Sequence, residues 1–129
     1  MTTQETPFRG IIIAIVDDLF FLTKIQHAAG TLGVEVKPIN PEALAGDLAQ
    51  TGSSAVILDL NHRSGRALDI LRDLKSNPST SSTRVLGFVS HVQGGLITAA
   101  RAAGCDTVLA RSAFAKQLPQ LLKQLAGIP

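Results

Sequence analysis

The sequence contains no tryptophan and no tyrosine, and its 129 residues include one cysteine and one methionine. A single cysteine, Cys105, excludes an internal disulfide and a cysteine zinc cluster, and it fits a reducing compartment. Charged residues make up 17% of the chain, too few for a disordered polyelectrolyte. The formal charge of +2 comes from scattered basic residues, so neither a nucleic-acid nor a membrane footprint is visible. Long hydrophobic runs are also missing. Ile11 to Val16 is cut by Asp17 and Asp18 after six residues, shorter than a signal-peptide core and far short of a membrane span. A cytoplasmic location is expected.

What the sequence does have is aliphatic. It is 45% hydrophobic, carried by Ile, Leu, Val and Ala with only five Phe, which suits helices packed on a parallel sheet. A chain of this length corresponds to one domain over 1–129, with 1–8 as a flexible leading segment, and can bury roughly two-thirds of its unfolded surface. The organising stretch is Ala55-Val56-Ile57-Leu58-Asp59-Leu60-Asn61. A short aliphatic run bounded by turn formers predicts a strand buried on both faces. A carboxylate cannot stay unpaired inside such a strand, so Asp59 is expected at its C-terminal rim, where open α/β sheets bind ligands.

Similar strands are predicted at Gly10–Val16, Val34–Ile39 (a half-exposed edge), Arg84–Val89 and Thr107–Ala110. Helical spacing predicts helices over Leu19–Leu32, stopped by Gly33, and over Ser64–Ser76, stopped by Asn77-Pro78. Others are expected from Asn40-Pro41 to Gln50 with Leu44 and Leu48 inward, over Leu96–Ala103 closed by Gly104, and over Leu118–Ala126 with Pro119 in its first turn. Thr51–Ser54 and Gly94-Gly95 read as turns. Five strands alternating with five helices predict an α/β fold: a doubly wound, five-stranded parallel sheet with helices on both faces. The flavodoxin-like order 2-1-3-4-5 is the first choice by analogy.

That order brings Asp17-Asp18 and Asp59 to one crevice, where Ser90-His91 and Arg111 also end strands. At ~5 Å and an effective dielectric of ~20, each carboxylate pair repels by about 3 kcal/mol. A divalent cation relieves the repulsion, and hard oxygen donors of this kind suit Mg²⁺. A carboxylate can then act as nucleophile toward a phosphoryl group, with Ser90 and Arg111 placed to stabilise its oxygens.

In these residues the sequence resembles the receiver domain of two-component response regulators, over about Gly10 to Ala126. Asp17-Asp18 corresponds to the family's acidic pair, and Asp59 to its phosphoacceptor. Asn61 matches the position whose backbone carbonyl binds the metal, Ser90 the hydroxyl residue after the fourth strand, and Ala102-Ala103-Gly104-Cys105-Asp106 the turn before the fifth strand. The chain departs from the pattern in three places. Arg111-Ser112 replaces a Lys-Pro pair, and arginine is not a conservative substitute for lysine; a bidentate resting pair of Arg111 with Asp59 is one expectation. His62-Arg63 replaces Met-Pro in a shortened loop, and His91 stands where a small residue is usual. The family's switch aromatic falls on Val108.

The resemblance implies a stand-alone, non-enzymatic phosphorelay receiver. Asp59 would accept phosphate with Mg²⁺ held by Asp17, Asp18, Asp59 and the Asn61 carbonyl. Phosphate would come from a histidine kinase, a phosphotransfer protein or a small phosphodonor. A downstream protein would read the face formed by the fourth helix, fifth strand and fifth helix, and the oligomeric state is open, a homodimer included. The runner-up is a pseudo-receiver, an interaction module that is not phosphorylated. A flavodoxin-like ligand-binding protein or enzyme ranks third, because the loop after the first strand is acidic where a phosphate loop needs Gly, Ser and Thr. Among the bland readings, Asp17 or Asp18 is a helix N-cap, Arg111 a solvated helix-start residue, His27 structural or exposed, and Cys105 a small buried residue. His62 and His91 as a transition-metal pair is the remote alternative.

Overall fold

The strand that carries Asp59 is buried along its whole length, Ala55–Asp59, as is its neighbour Ile12–Ile15. Aliphatic and β-branched side chains on successive residues are stable in this way only when both faces of a sheet are covered. The computed structural model describes residues 11–41, 55–90 and 95–127. Within them the strands are β1 (Ile12–Ile15), β2 (Val36–Pro38), β3 (Ala55–Asp59), β4 (Arg84–Val89) and β5 (Thr107–Ala110). The helices are α1 (Leu19–Thr31), α2 (Ala67–Ser76), α3 (Leu96–Ala102), α4 (Arg111–Lys116) and α5 (Leu118–Ala126). All pairings are parallel, in the order β2-β1-β3-β4-β5. The predicted α/β class and strand order both hold. The predicted helix over 40–50, the turn at 51–54, Gly10, His91 and Gly94 lie wholly or largely outside the described residues.

The pleat sorts the side chains into two cores. Ile12, Ala14, Ala55, Ile57, Leu86 and Phe88 pack under α1 and α5; Ile13, Ile15, Val56, Leu58, Val85 and Val89 pack under α2 and α3. By the same alternation Asp59 falls on the face of Ala55 and Ile57, the α1 side. The register pairs Ile15 with Leu58, Asp59 with Phe88 and Val89 with Ala110. The C-terminal ends of four strands are therefore level, and the residues that follow them share one edge.

Some boundaries shift. The helix expected from Ser64 begins at Ala67, because Ser64 and Gly65 form a turn: the Gly65 N–H donates to the His62 carbonyl at 3.0 Å, with Gly65 at φ +71°. The edge strand shortens to Val36–Pro38, and its exposed Pro38 needs no ladder donor. Gly33, at φ +72°, lies just past the end of α1 as expected.

One helix is absent from the sequence expectation. Arg111 does not end β5; it opens α4, which stops at Gln117 before α5 begins. Pro119 explains the break, since a continuous helix would lose its hydrogen bond and press its ring on the carbonyl of Ala115. The short α4 delivers Phe114, fully buried, onto Phe88 and Phe21, with ring centroids 5.4 and 5.5 Å away; Phe21 and Phe88 are 5.0 Å apart. Three of the five phenylalanines thus form one cluster directly beneath the strand-end edge.

Phe114→Ala is expected to cost about 3–5 kcal/mol, as a large buried ring leaves a cavity. Gly87→Ala should cost about 1–3 kcal/mol, because its new Cβ would meet Cys105 Sγ and Leu60 Cδ1, each at 3.0 Å. Urea unfolding midpoints with unchanged m-values check both.

Candidate functional site at the carboxylate edge

Asp59 is 5% exposed, at the rim of the central strand. Its Oδ1 accepts the Asn61 N–H at 2.9 Å, a tight turn in which the His62 N–H also donates to the Asp59 carbonyl at 3.0 Å. The backbone N–H of Asp17 is directed at the same carboxylate. Burial pushes the Asp59 carboxyl above its ordinary value of 3.8, and the nearby Asp17 charge pushes the same way; the Asn61 N–H and His62 oppose them.

Asp17 and Asp18 follow β1 and diverge. Asp17 turns toward the loop after β3: its Oδ2 accepts the Arg63 N–H at 2.5 Å, and its Oδ1 lies 3.2 Å from His62 Nε2 and 3.5 Å from Arg63 Nε. His62 is oriented from its other side, where Nδ1 accepts the Ser64 N–H at 3.1 Å and lies 2.9 Å from Ser64 Oγ. That assigns the ring proton to Nε2, facing Asp17. Asp18 is the N-cap of α1. Its Oδ1 accepts the Phe21 N–H at 3.1 Å, and its Oδ2 accepts from Arg111 Nη2 at 2.5 Å. The Phe21 hydrogen bond and the Arg111 guanidinium hold the Asp18 carboxyl below its usual range.

This geometry corrects one expectation. Arg111 does not pair with Asp59; it binds Asp18 and lays its guanidinium 4.5 Å from the centre of the Phe21 ring. The cause is α4, which starts at Arg111 and sets its side chain against α1 rather than across β3. For Asp18 the N-cap alternative is the structure observed. Ser90 is exposed at the end of β4, and its N–H donates to Asn61 Oδ1 at 2.7 Å, which ties the β4 end to the Asp59 turn. His27 is exposed, and Cys105 is buried with its thiol pushed up by desolvation.

The carbonyl and carboxylate oxygens at this edge are a hard donor set that fits Mg²⁺ in kind, and the Asp17–Asp59 repulsion is the electrostatic condition a cation would relieve. In the arrangement shown, the oxygens of Asp17 and Asp18 are already engaged by protein donors. Among the described residues, no group of three or more His, Cys, Asp or Glu side chains has the geometry to hold a metal ion. The periodicity also passes over Leu19 and Phe20, which are 73% and 90% exposed immediately after the acidic pair. A phenylalanine that open beside a charged crevice has a signal in the sequence: Phe20 precedes, and falls off, the buried Phe21–Ile25 stripe.

No family model and no curated protein matches the sequence. Solved structures do match. The signal receiver domain of a DNA-binding response regulator from Colwellia psychrerythraea superposes with a TM-score of 0.75 at 22% identity, covering 89% of this chain and 99% of that one. The fold is that of a receiver domain. A phosphorylated cyanobacterial phytochrome response regulator gives a TM-score of 0.74 at 21% identity over 91% of each chain. A response regulator from Thermotoga maritima gives 0.76 at 15% identity, covering 92% of this chain and 98% of that one. In this receiver fold, Asp59 stands at the switch point between β1 and β3, where strand order reverses. No helix among the described residues is long and apolar enough to cross a membrane.

The two carboxyl shifts predict opposite pH behaviour. A raised folded value means the folded state holds the Asp59 proton that the unfolded chain releases, so ionising Asp59 lowers stability as pH rises above about 4. Asp59→Asn should therefore be more stable than the parent at neutral pH, with the gain vanishing below the ordinary carboxyl value of 3.8. The depressed Asp18 carboxyl supplies stability that is present above that value and lost as pH falls through its folded value. Asp18→Asn should accordingly be less stable at neutral pH and converge with the parent in acid. Urea midpoints measured across this range check both signs.

Proposed function

We propose that the chain is a receiver-type signalling module of a phosphorelay that accepts a phosphoryl group on Asp59. The observation that supports this reading best is the environment of Asp59. It is a buried carboxylate of raised proton affinity, held by backbone N–H groups at the switch point of a receiver fold, beside a second carboxylate. Desolvation makes the ionised oxygen a stronger nucleophile than an exposed carboxylate, while the Asn61 N–H fixes its direction. An Asp59 oxygen would attack phosphorus and form an acyl phosphate, and the phosphodonor would depart as imidazole from a phosphohistidine or as acetate from acetyl phosphate.

When bound, Mg²⁺ supplies positive charge for the phosphoryl oxygens. Asp17, Asp59 and the Asn61 carbonyl are the groups that would hold it; Asp18 would join only by giving up Arg111. The Asn61–Ser90 hydrogen bond ties the Ser90 backbone to the same edge, and from there its hydroxyl would serve a phosphoryl oxygen. Arg111 would serve there after leaving Asp18. Exposed Leu19 and Phe20 give a protein phosphodonor, a histidine kinase or phosphotransfer protein, an apolar contact at the mouth of the crevice. A downstream protein would read the modified state. A cytoplasmic site of action fits this chemistry.

The saturation of Asp17 and Asp18 by protein donors favours a second reading, an interaction module that is not phosphorylated. Incubation with Mg²⁺ and acetyl phosphate separates the two. The first reading expects a gain of one phosphoryl group in the intact mass, absent in Asp59→Asn, and amide shifts around Asp59 with beryllofluoride. An unmodified mass and unshifted amides would establish the second.

Phe20→Ala adds a test of the donor contact. Its labelling by acetyl phosphate should match the parent's, while transfer from a protein phosphodonor slows about tenfold, the effect of losing one aromatic anchor worth about 1–2 kcal/mol. Equal transfer rates would place the donor contact elsewhere.

A further inference from the structure

The loop after β3 carries side chains with no place in the chemistry proposed for Asp59, yet they are seated on one of its carboxylates. His62 Nε2, the Arg63 N–H and Arg63 Nε converge on Asp17 at 3.2, 2.5 and 3.5 Å. Two of these contacts are built rather than incidental. The His62 side chain is 12% exposed and pinned through Nδ1 by Ser64, and the Arg63 contact uses a backbone N–H held in a turn that closes at Gly65. Only the Arg63 guanidinium, 86% exposed, is an ordinary surface partner. Hydrogen bonds and positive charge thus occupy both Asp17 oxygens, the ones a cation would need.

We infer that His62, as hydrogen-bond donor, and Arg63, as counter-ion, are positioning residues that hold Asp17 and compete with a divalent cation for it. This rests on the reading of the edge as a cation and phosphoryl site, and it assigns the loop to metal affinity. Free of metal, the loop offsets part of the Asp17 charge, while the remaining repulsion still raises Asp59. Bound metal takes Asp17 only after the loop releases it. A cavity of about 470 Å³ adjoins the loop, bounded by Leu60, His62, Gly65, Leu68 and Arg72, and gives the displaced side chains room to move.

Mg²⁺ titration by calorimetry, or by amide shifts since the chain has no tryptophan or tyrosine to report, tests the inference. His62→Ala/Arg63→Ala should bind Mg²⁺ about five- to tenfold more tightly than the parent, which corresponds to about 1–1.4 kcal/mol. Its melting temperature should fall in chelator and rise with Mg²⁺, whereas the parent's should move little. In the parent, exchange of the Arg63 amide should quicken as Mg²⁺ saturates. Arg66→Ala removes a charge from the same loop without a contact on Asp17, and should change the affinity less than twofold.

Equal affinities in parent and double variant, absence of Mg²⁺ binding in both, an unchanged Arg63 amide, or an equal effect of Arg66→Ala would overturn the inference. Acetyl phosphate labelling of the same proteins keeps the two readings apart. If the affinities separate as stated but no protein is labelled, the phosphoacceptor reading fails and the counter-ion stands. If the parent is labelled but the affinities coincide, the counter-ion fails and the phosphoacceptor stands.

Discussion

A buried carboxylate at the end of the central strand is the constraint on which the rest of this edge depends. Asp59 has little water to solvate its charge, and it shares a crevice with Asp17. A group in that position must be protonated, hydrogen-bonded or compensated. The structure uses the second and third: N–H groups from Asn61 and Asp17 face Asp59 itself, and cations are brought to its neighbours instead of to it. Arg111 sits on Asp18 and Arg63 on Asp17, where His62 adds a hydrogen bond. Asp59 keeps its raised proton affinity while the charges of its two neighbours are partly offset.

The compensation depends on packing beyond the edge. Arg111 reaches Asp18 because α4 begins where β5 ends, and α4 is anchored by Phe114 in the ring cluster with Phe21 and Phe88. Phe21 belongs to both systems, packing on Phe114 below and receiving the Arg111 guanidinium above. The opposite end of β4 is tied down by a second ion pair, centred on the exposed Asp106. Asp106 Oδ2 accepts the Val85 N–H at 2.7 Å and Lys75 Nζ at 2.9 Å, and Lys75 also donates to the Thr83 carbonyl at 2.7 Å. With β4 fixed at its start, the Ser90–Asn61 bond at its other end is held in register.

Much of this is legible in the residues. Aliphatic runs ending in Asp, Ser or Arg mark β1, β3, β4 and β5, and strand order follows from alternation with helices, because parallel crossovers leave few alternatives. Periodicity also places Phe21 and Ile25 inward. The direction of side chains at the edge is not legible. Whether Asp18 caps α1 or faces Asp59 is decided by the backbone at that one residue, which is extended at φ −77°, ψ 108°. Whether Arg111 meets Asp59 or Asp18 depends on α4, six residues long and separated from α5 only by the break before Pro119. Phe114 and Leu118 do share helical spacing, so the pattern was present; it merges with α5 and conceals the break.

Arginine at position 111 illustrates how one such choice spreads. A lysine ammonium is a compact charge on a flexible stem, whereas a guanidinium can stack on a ring and donate along its edge at once. Arg111 does both, over Phe21 and to Asp18 Oδ2. Moving it to a phosphoryl group on Asp59 would therefore break two favourable contacts rather than one. The departure of Arg111 would also leave Asp18 with its N-cap bond to Phe21 but without a counter-charge, which would raise the attraction of that edge for a cation. Were a cation to bind, release of the arginine would be coupled to it through Asp18, and release of the loop through Asp17. The two aspartates are consecutive in sequence, yet each is held by a different part of the chain. The end of β5 and the loop after β3 thus meet at the carboxylate edge.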